Sequence, residues 1–222
     1  MILKKEEKIA LISGVRDFGI SLSWPQIERL IIYLNELWEW NKQVNLTGLS
    51  SIERIINELL IDSLIPAPFL PESGWFLDAG SGAGFPAIPL KILKPRLDTH
   101  IVEPKSKKAA FLKHVIRLTG IQNIDVVRGR VEKGKNVMLH PGGYHVITAR
   151  AFSHLSNTLA LCAPLLKPGG IILNFQGSHF ENVLKQCADV IKQCGLILHE
   201  SIPYKLPGMD YKRHLLIFKK KE

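Results

Sequence analysis

Three glycines alternate in the stretch FLDAGSGAGFPAIPL, at Gly80, Gly82 and Gly84, directly after Asp78, the acid that closes an apolar run. Glycine gives up side-chain packing and conformational restraint, so three in so short a span point to a main chain that something approaches closely. An apolar run that ends in an acid and opens into glycines puts backbone N–H groups and a helix N-terminus at the carboxyl end of a strand, where open α/β sheets bind nucleotides. The dinucleotide fingerprint asks for G-x-G-x-x-G. Counted from Gly80, the third glycine arrives one place early, at Gly84, and Phe85 takes its slot. Nineteen residues after Gly84 stands Glu103, at the end of the next apolar run. It is placed to accept hydrogen bonds from both hydroxyls of a ribose, and Pro104 behind it turns the chain.

Such a site needs strands that all end on one edge. From Trp75 onward short apolar strands alternate with helices: WFLDAG, THIVEP, IDVVRGR, YHVITARA and IILNFQG, with KSKKAAFLKHVIRLTG and HFENVLKQCADVIKQCG among the helical intervals. That alternation implies a parallel sheet covered by helices on both faces. The last two strands, LILHESIPYKL and RHLLIFKKK, are joined by PGMDYK, too short for a crossover helix, and predict an antiparallel hairpin at the sheet's edge. A ribose-binding acid and a turn with no third packing glycine suit a cofactor without a pyrophosphate. The pattern favours S-adenosylmethionine over NAD. The expected fold is therefore α/β, a Rossmann-like seven-stranded class I SAM-dependent methyltransferase sheet with a C-terminal antiparallel hairpin and an N-terminal helical extension.

The extension covers residues 1–70 and the methyltransferase domain residues 71–222. In SWPQIERLIIYLNELWEWNK, Ser23 caps a helix, Pro25 fits its first turn, and Ile27, Leu30, Ile31, Leu34, Leu37 and Trp38 form a buried stripe. A second helix runs from Ser50 or Ser51 to Leu64, and PAPFLPESG connects it to the first strand.

Composition narrows the partners. The chain of 222 residues has 29 basic and 20 acidic residues, a net charge of +9, which suits a polyanion. The basic residues cluster at Lys105, Lys107, Lys108, Lys113, His114 and Arg117, and again at Arg128 and Arg130. Lys105, Lys107, Lys108, Arg128 and Arg130 are the expected RNA contacts. Cys162, Cys187 and Cys194 are odd in number and lack a CxxC pair, so they read as buried free thiols. The histidines show no ligand spacing, and no metal is expected. The lysine-rich start carries no signal-peptide core and no apolar run is long enough for a membrane span, which places the protein in the cytoplasm, as a monomer without membrane contact.

Several longer segments, WNKQVNLTGL, LLIDSL, DAGSGAGFPAIPLKI, FLKHV, RGRVE, ARAFSHL, PLLKPGG and RHLLIF, together resemble the RsmG family, formerly GidB, over most of the chain. Its members methylate N7 of one guanosine in the 530 loop of bacterial 16S rRNA. The resemblance implies a cofactor cradle at Asp78, Gly80, Ser81, Gly82 and Phe85, joined by Gly84 from the glycine pattern. It further implies Glu103 on the ribose, Val131 and Glu132 on the adenine, and a catalytic Arg150 facing both cofactor and target base. Its partner is 16S rRNA or the small ribosomal subunit. Two positions depart from the family pattern: Gln176 stands where members usually have lysine, and Glu103-Pro104 where they often have aspartate-serine. Bland readings stand beside these: Arg150 pairing with Asp62, Asp78 fixing the turn, Trp38 and Trp40 in the core, and Asn45 and Thr47 as turn residues. A methyltransferase of small molecules and a non-catalytic RNA-binding protein are the rival functions.

Overall fold

The computed structural model describes residues 3–132 and 140–222. Helix α1 (Lys5–Arg16) precedes α2 (Trp24–Val44). The start of α2 follows its sequence: the Ser23 backbone N–H donates to Gln26 Oε1 at 2.8 Å, and Pro25 sits in the first turn. Asn45 ends it in the left-handed region. Ile27, Leu30, Leu34 and Leu37 of the expected stripe are buried, while Ile31 and Trp38 pack half-buried against the same cluster. The segment after Ser51 is helical but not uniform: α3 (Ile52–Ile55), a π turn (Ile56–Ile61) and α4 (Asp62–Leu64). A π turn widens the helix and changes which side chains face inward. Directly after it, Asp62 is fully buried.

The sheet comprises β1 (Gly74–Ala79), β2 (Leu97–Val102), β3 (Ile124–Val127), β4 (Tyr144–Ala149), β5 (Leu166–Gln176), β6 (Leu196–Tyr204) and β7 (Arg213–Lys220), in the order β3-β2-β1-β4-β5-β7-β6. Strands β1 to β5 pair in parallel, whereas β7 runs antiparallel to both β5 and β6. The hairpin is at the edge as expected, with its second strand turned inward. Helices α5 (Ala87–Leu93) and α6 (Ser106–Thr119) belong to one face, and α7 (Leu155–Cys162), α8 (Phe180–Gln186) and α9 (Ala188–Gln193) to the other. Two boundaries differ from expectation. Strand β5 starts at Leu166, ahead of the expected IILNFQG and taking in KPGG, and the helix through Cys187 is broken there into α8 and α9.

Alternation along each strand supplies both cores. Phe76, Val146, Leu173, Leu215 and Ile217 join the N-terminal helices, α5 and α6 in one cluster; Leu77, Ile147, Ile172, Leu216 and Phe218 join α7 to α9 in the other. The N-terminal helices therefore share their core with the sheet, and Ala67 and Leu70 of the connecting stretch are buried in it. From β1 the chain proceeds outward to β2 and β3, then returns to place β4 on β1's other side. A crevice forms at the carboxyl ends of strands where the winding reverses in this way.

Candidate active site

Two strand ends meet at that crevice, Asp78-Ala79-Gly80 from β1 and Ala149-Arg150-Ala151 from β4. Gly80 and Gly82 take positive φ, 73° and 60°. A Cβ on Gly80 would lie 2.6 Å from the Phe152 ring, whereas on Gly82 it would enter open space with only Lys108 Nζ nearby, at 3.8 Å. Gly84 answers to different neighbours. It lines no cavity, and a Cβ there would stand 2.7 Å from Ile88 and 3.0 Å from Leu112. Its place in the cofactor cradle is thus corrected: the third glycine lets the turn pack on α5 and α6. The helix also begins later than expected, at Ala87, after a turn in which Gly84 and Phe85 N–H groups donate to the Ser81 carbonyl.

Asp78 lies beneath this turn, fully buried and lining no cavity. Its Oδ1 accepts from Thr148 Oγ1 at 2.6 Å, and the Ser81 hydroxyl also lies on the carboxylate. Burial pushes the carboxyl up to about 6, against the opposing pull of Ser81, Thr148 and Arg150. The cradle expected around Asp78 therefore rests on it instead of being lined by it.

A cavity of about 600 Å³ opens over the β1 and β2 ends, lined by Gly80, Gly82, Glu103, Arg130, Val131 and Phe152 among others. Glu103 is held there by two backbone donors, Gly82 N–H to Oε2 at 2.9 Å and Lys105 N–H to Oε1 at 2.8 Å. Each oxygen keeps a lone pair for another donor. Val131 is buried against the cavity, but Glu132 is exposed and lines none of it, because successive residues of extended chain point to opposite sides.

A second cavity, about 440 Å³, adjoins the first through Gly80, Gly82, Lys108 and Ala151, and is lined further by Leu46, Thr47, Phe85, Arg150 and Arg213. Ala151 holds φ at 48°, a strained value for a residue with a Cβ, and borders both cavities. The Arg150 guanidinium lies 5.4 Å over the Phe85 ring, and its Nη1 donates to Asp62 Oδ2 at 3.3 Å. Facing the cavity and pairing with Asp62, two alternatives in the sequence, coexist in the structure.

The basic residues divide. Lys105, Lys107, Arg128 and Arg130 are exposed. Lys108, also an expected RNA contact, is half-buried, donates to the Leu46 carbonyl at 2.9 Å and borders both cavities. Burial pulls its amine below the ordinary lysine range, Glu103 opposing. His114 sits 2.7 Å from Glu36 and stacks near Trp40, which also packs on Phe111. Asn45 and Thr47 are turn residues: Asn45 Oδ1 accepts from Gly48 N–H, and Thr47 N–H donates to Asn41 Oδ1. Cys162 and Cys187 are buried free thiols; Cys194 is half-buried.

Sequence reasoning missed Arg213 and Tyr204 as parts of the site. Arg213 Nη1 lies 3.2 Å from Asp62 Oδ1, and Tyr204 Oη donates to the same oxygen at 2.6 Å. Arg213 was legible only as one member of a basic KRH run.

The cradle fits a nucleoside-bearing sulfonium: Glu103 has spare lone pairs for ribose hydroxyls, and the main chain at Gly82 is bare toward the cavity. This fold and site define a class I S-adenosylmethionine-dependent methyltransferase. Solved structures of similar fold include a methyltransferase from Pyrococcus furiosus, with a TM-score of 0.59 at 16% identity over 88% of this chain and 99% of that one. Another is M. jannaschii TYW2 in complex with AdoMet, at a TM-score of 0.56 and 16% identity over 71% of this chain and 73% of that one. The family model GidB, rRNA small subunit methyltransferase G, matches residues 26–215, and the chain belongs to that family. Among relatives bearing the name ribosomal RNA small subunit methyltransferase G, that of Roseiflexus sp. is 34% identical over 94% of this chain and 90% of its own length. That of Alkaliphilus metalliredigens is 31% identical over 97% and 91%, and that of Neisseria meningitidis serogroup A is 32% identical over 97% and 100%.

Proposed function

We propose that the protein methylates N7 of a guanosine in the 530 loop of bacterial 16S rRNA, with S-adenosylmethionine as donor. The observation that carries this reading is the pair of cavities joined at Gly80, Gly82, Lys108 and Ala151, one bearing the ribose-binding Glu103 and the other facing Arg150. Glu103 would hold the ribose hydroxyls, Val131 and Phe152 the adenine, and the main chain of Gly80 and Gly82 the remainder. When bound, S-adenosylmethionine supplies an electrophilic methyl group on a sulfonium sulfur.

Guanine N7 carries an exposed lone pair, so no side chain has to remove a proton. Asp78, with no face on either cavity, is not needed as a base. The residues instead orient the target and exclude water, which is where rate must come from in such a transfer. Arg150, braced by Asp62 and resting over Phe85, orients the target base or its phosphate. Exposed Lys105, Lys107, Arg128 and Arg130, of which Lys105 and Arg130 line the cofactor cavity, attract the RNA backbone. Residues 1–70 act as an extension that walls the acceptor cavity through Leu46 and Thr47. Among the described residues no helix is long and apolar enough to cross a membrane. A lysine-rich surface favours a monomer, acting in the cytoplasm where ribosomes are assembled.

The test is incubation with radiolabelled S-adenosylmethionine and small subunits from a strain lacking the modification, with the label mapped by N7-specific cleavage. Label at one guanosine of the 530 loop is expected, and Arg150→Ala should abolish it while leaving cofactor affinity within about twofold. Cofactor binding with label on a metabolite and none on rRNA would assign a small-molecule methyltransferase; binding without any turnover would assign an RNA-binding relic.

A further inference from the structure

Beyond the acceptor cavity lies a third, about 320 Å³, lined by Asp62, Arg150, Phe175, Gln176, Tyr211 and Arg213 among others. It shares Arg150, Ala151 and Arg213 with the acceptor cavity and Ala151 with the cofactor cavity. It therefore continues the acceptor cavity along the two arginines.

Its charges do not balance. Asp62 is fully buried, and the Arg150 and Arg213 side chains are 17% and 22% exposed, so two guanidinium groups share one carboxylate with little water to help. One positive charge is left over, in a place where an unmatched charge is costly and an anion is welcome. Three donors converge on the carboxylate. Oδ2 takes Arg150, while Oδ1 takes Arg213 and the Tyr204 hydroxyl. Burial, with the Asp62 charge adding, pushes the Tyr204 phenol far above its usual range, so it remains a donor. Each guanidinium gives Asp62 one Nη and keeps further N–H groups for another acceptor; Arg213 Nη2 reaches only Tyr211 Oη, at 3.5 Å. Tyr211 is 51% exposed, an aromatic face beside the arginines. Gln176, the departure from the family's usual lysine, lines the same cavity as a neutral donor tied to Asn174 Oδ1 at 2.6 Å.

We propose that Arg150 and Arg213 form a two-armed clamp for one phosphate of the acceptor RNA beside the target nucleotide. Asp62, with Tyr204 fixing its carboxylate, is the positioning residue that aims both arms. This rests on the rRNA methyltransferase reading above. It also gives the N-terminal helices a task, since they deliver Asp62.

The test uses small subunits lacking the methyl group and three measurements: cofactor affinity, KM and kcat for subunits, and RNA affinity against salt. Arg213→Gln is expected to raise KM about ten- to a hundredfold. It should also make the slope of log affinity against log salt shallower by about 0.7 to 0.9, one phosphate's worth, with cofactor affinity unchanged. Tyr204→Phe keeps both arginines, so its slope should match the wild type while kcat/KM falls about three- to tenfold. Asp62→Asn should lower kcat/KM more strongly, with a slope no shallower than the wild type's because it removes a negative charge; where that variant does not fold, Tyr204→Phe decides. Wild-type KM and slope in Arg213→Gln overturn the clamp. Weakened cofactor binding with RNA affinity intact overturns it in favour of the cofactor's own carboxylate. Wild-type turnover in a folded Tyr204→Phe removes the positioning role of Asp62. Should the unmutated protein bind subunits yet methylate nothing, the proposed function falls, and the salt slopes still decide the clamp.

Discussion

Gly82 and Gly84 look interchangeable in the sequence, yet an added methyl group meets open space at one and packed side chains at the other. Gly84→Ala should therefore lower unfolding free energy by about 2 to 4 kcal/mol, while Gly82→Ala should cost about 1 kcal/mol from its positive φ and act mainly on cofactor affinity. Urea midpoints and cofactor titration of both variants check this, and equal stability losses would contradict it. Asp78 allows a pH prediction. Folded, it holds its proton up to about 6, against 3.8 for the ordinary group. Between those values the folded chain binds more protons than the unfolded one, so this group's contribution to stability declines as pH rises, by about 3 kcal/mol in all. Asp78→Asn removes the decline. Its unfolding free energy relative to wild type should climb between about pH 4 and about pH 6.5 and level off above, and a flat difference would show that Asp78 ionises normally.

At the scale of elements, α2 and α5 are joined end to end by one side chain. Gln26 caps the start of α2 and donates to the Ile92 and Leu93 carbonyls at the end of α5, at 3.4 and 3.3 Å. Loss of that amide leaves orphan groups at two helix ends, so Gln26→Ala should cost about 1 to 2 kcal/mol in a denaturant titration without changing cofactor affinity. The π turn at Ile56–Ile61 matters differently: it stabilises nothing by itself, but it stands immediately before Asp62 and so sets the direction from which that carboxylate reaches the arginines.

Across the whole molecule, what was legible in the sequence is what short spacing encodes. The strand ends at Asp78 and Glu103, the two cavity-facing glycines and the strand and helix alternation all follow from patterns within about twenty residues. Contacts that depend on tertiary closure were legible only in part. Asp62 with Arg150, 88 positions apart, was one of two readings those residues allowed, whereas nothing local marks Tyr204, 142 positions from Asp62, as its partner. The hairpin's existence could be read from a short connection, but which of its strands faces inward could not. That inward strand is β7, and β6 hydrogen-bonds to the sheet through β7 alone. β6 can consequently join the sheet only through β7, and Arg213 belongs to the strand on which that edge depends. Every residue lining the cofactor cavity comes earlier, none later than Leu161. The small-molecule pocket thus owes none of its lining to the hairpin, while the neighbouring acceptor cavity takes Arg213 from it.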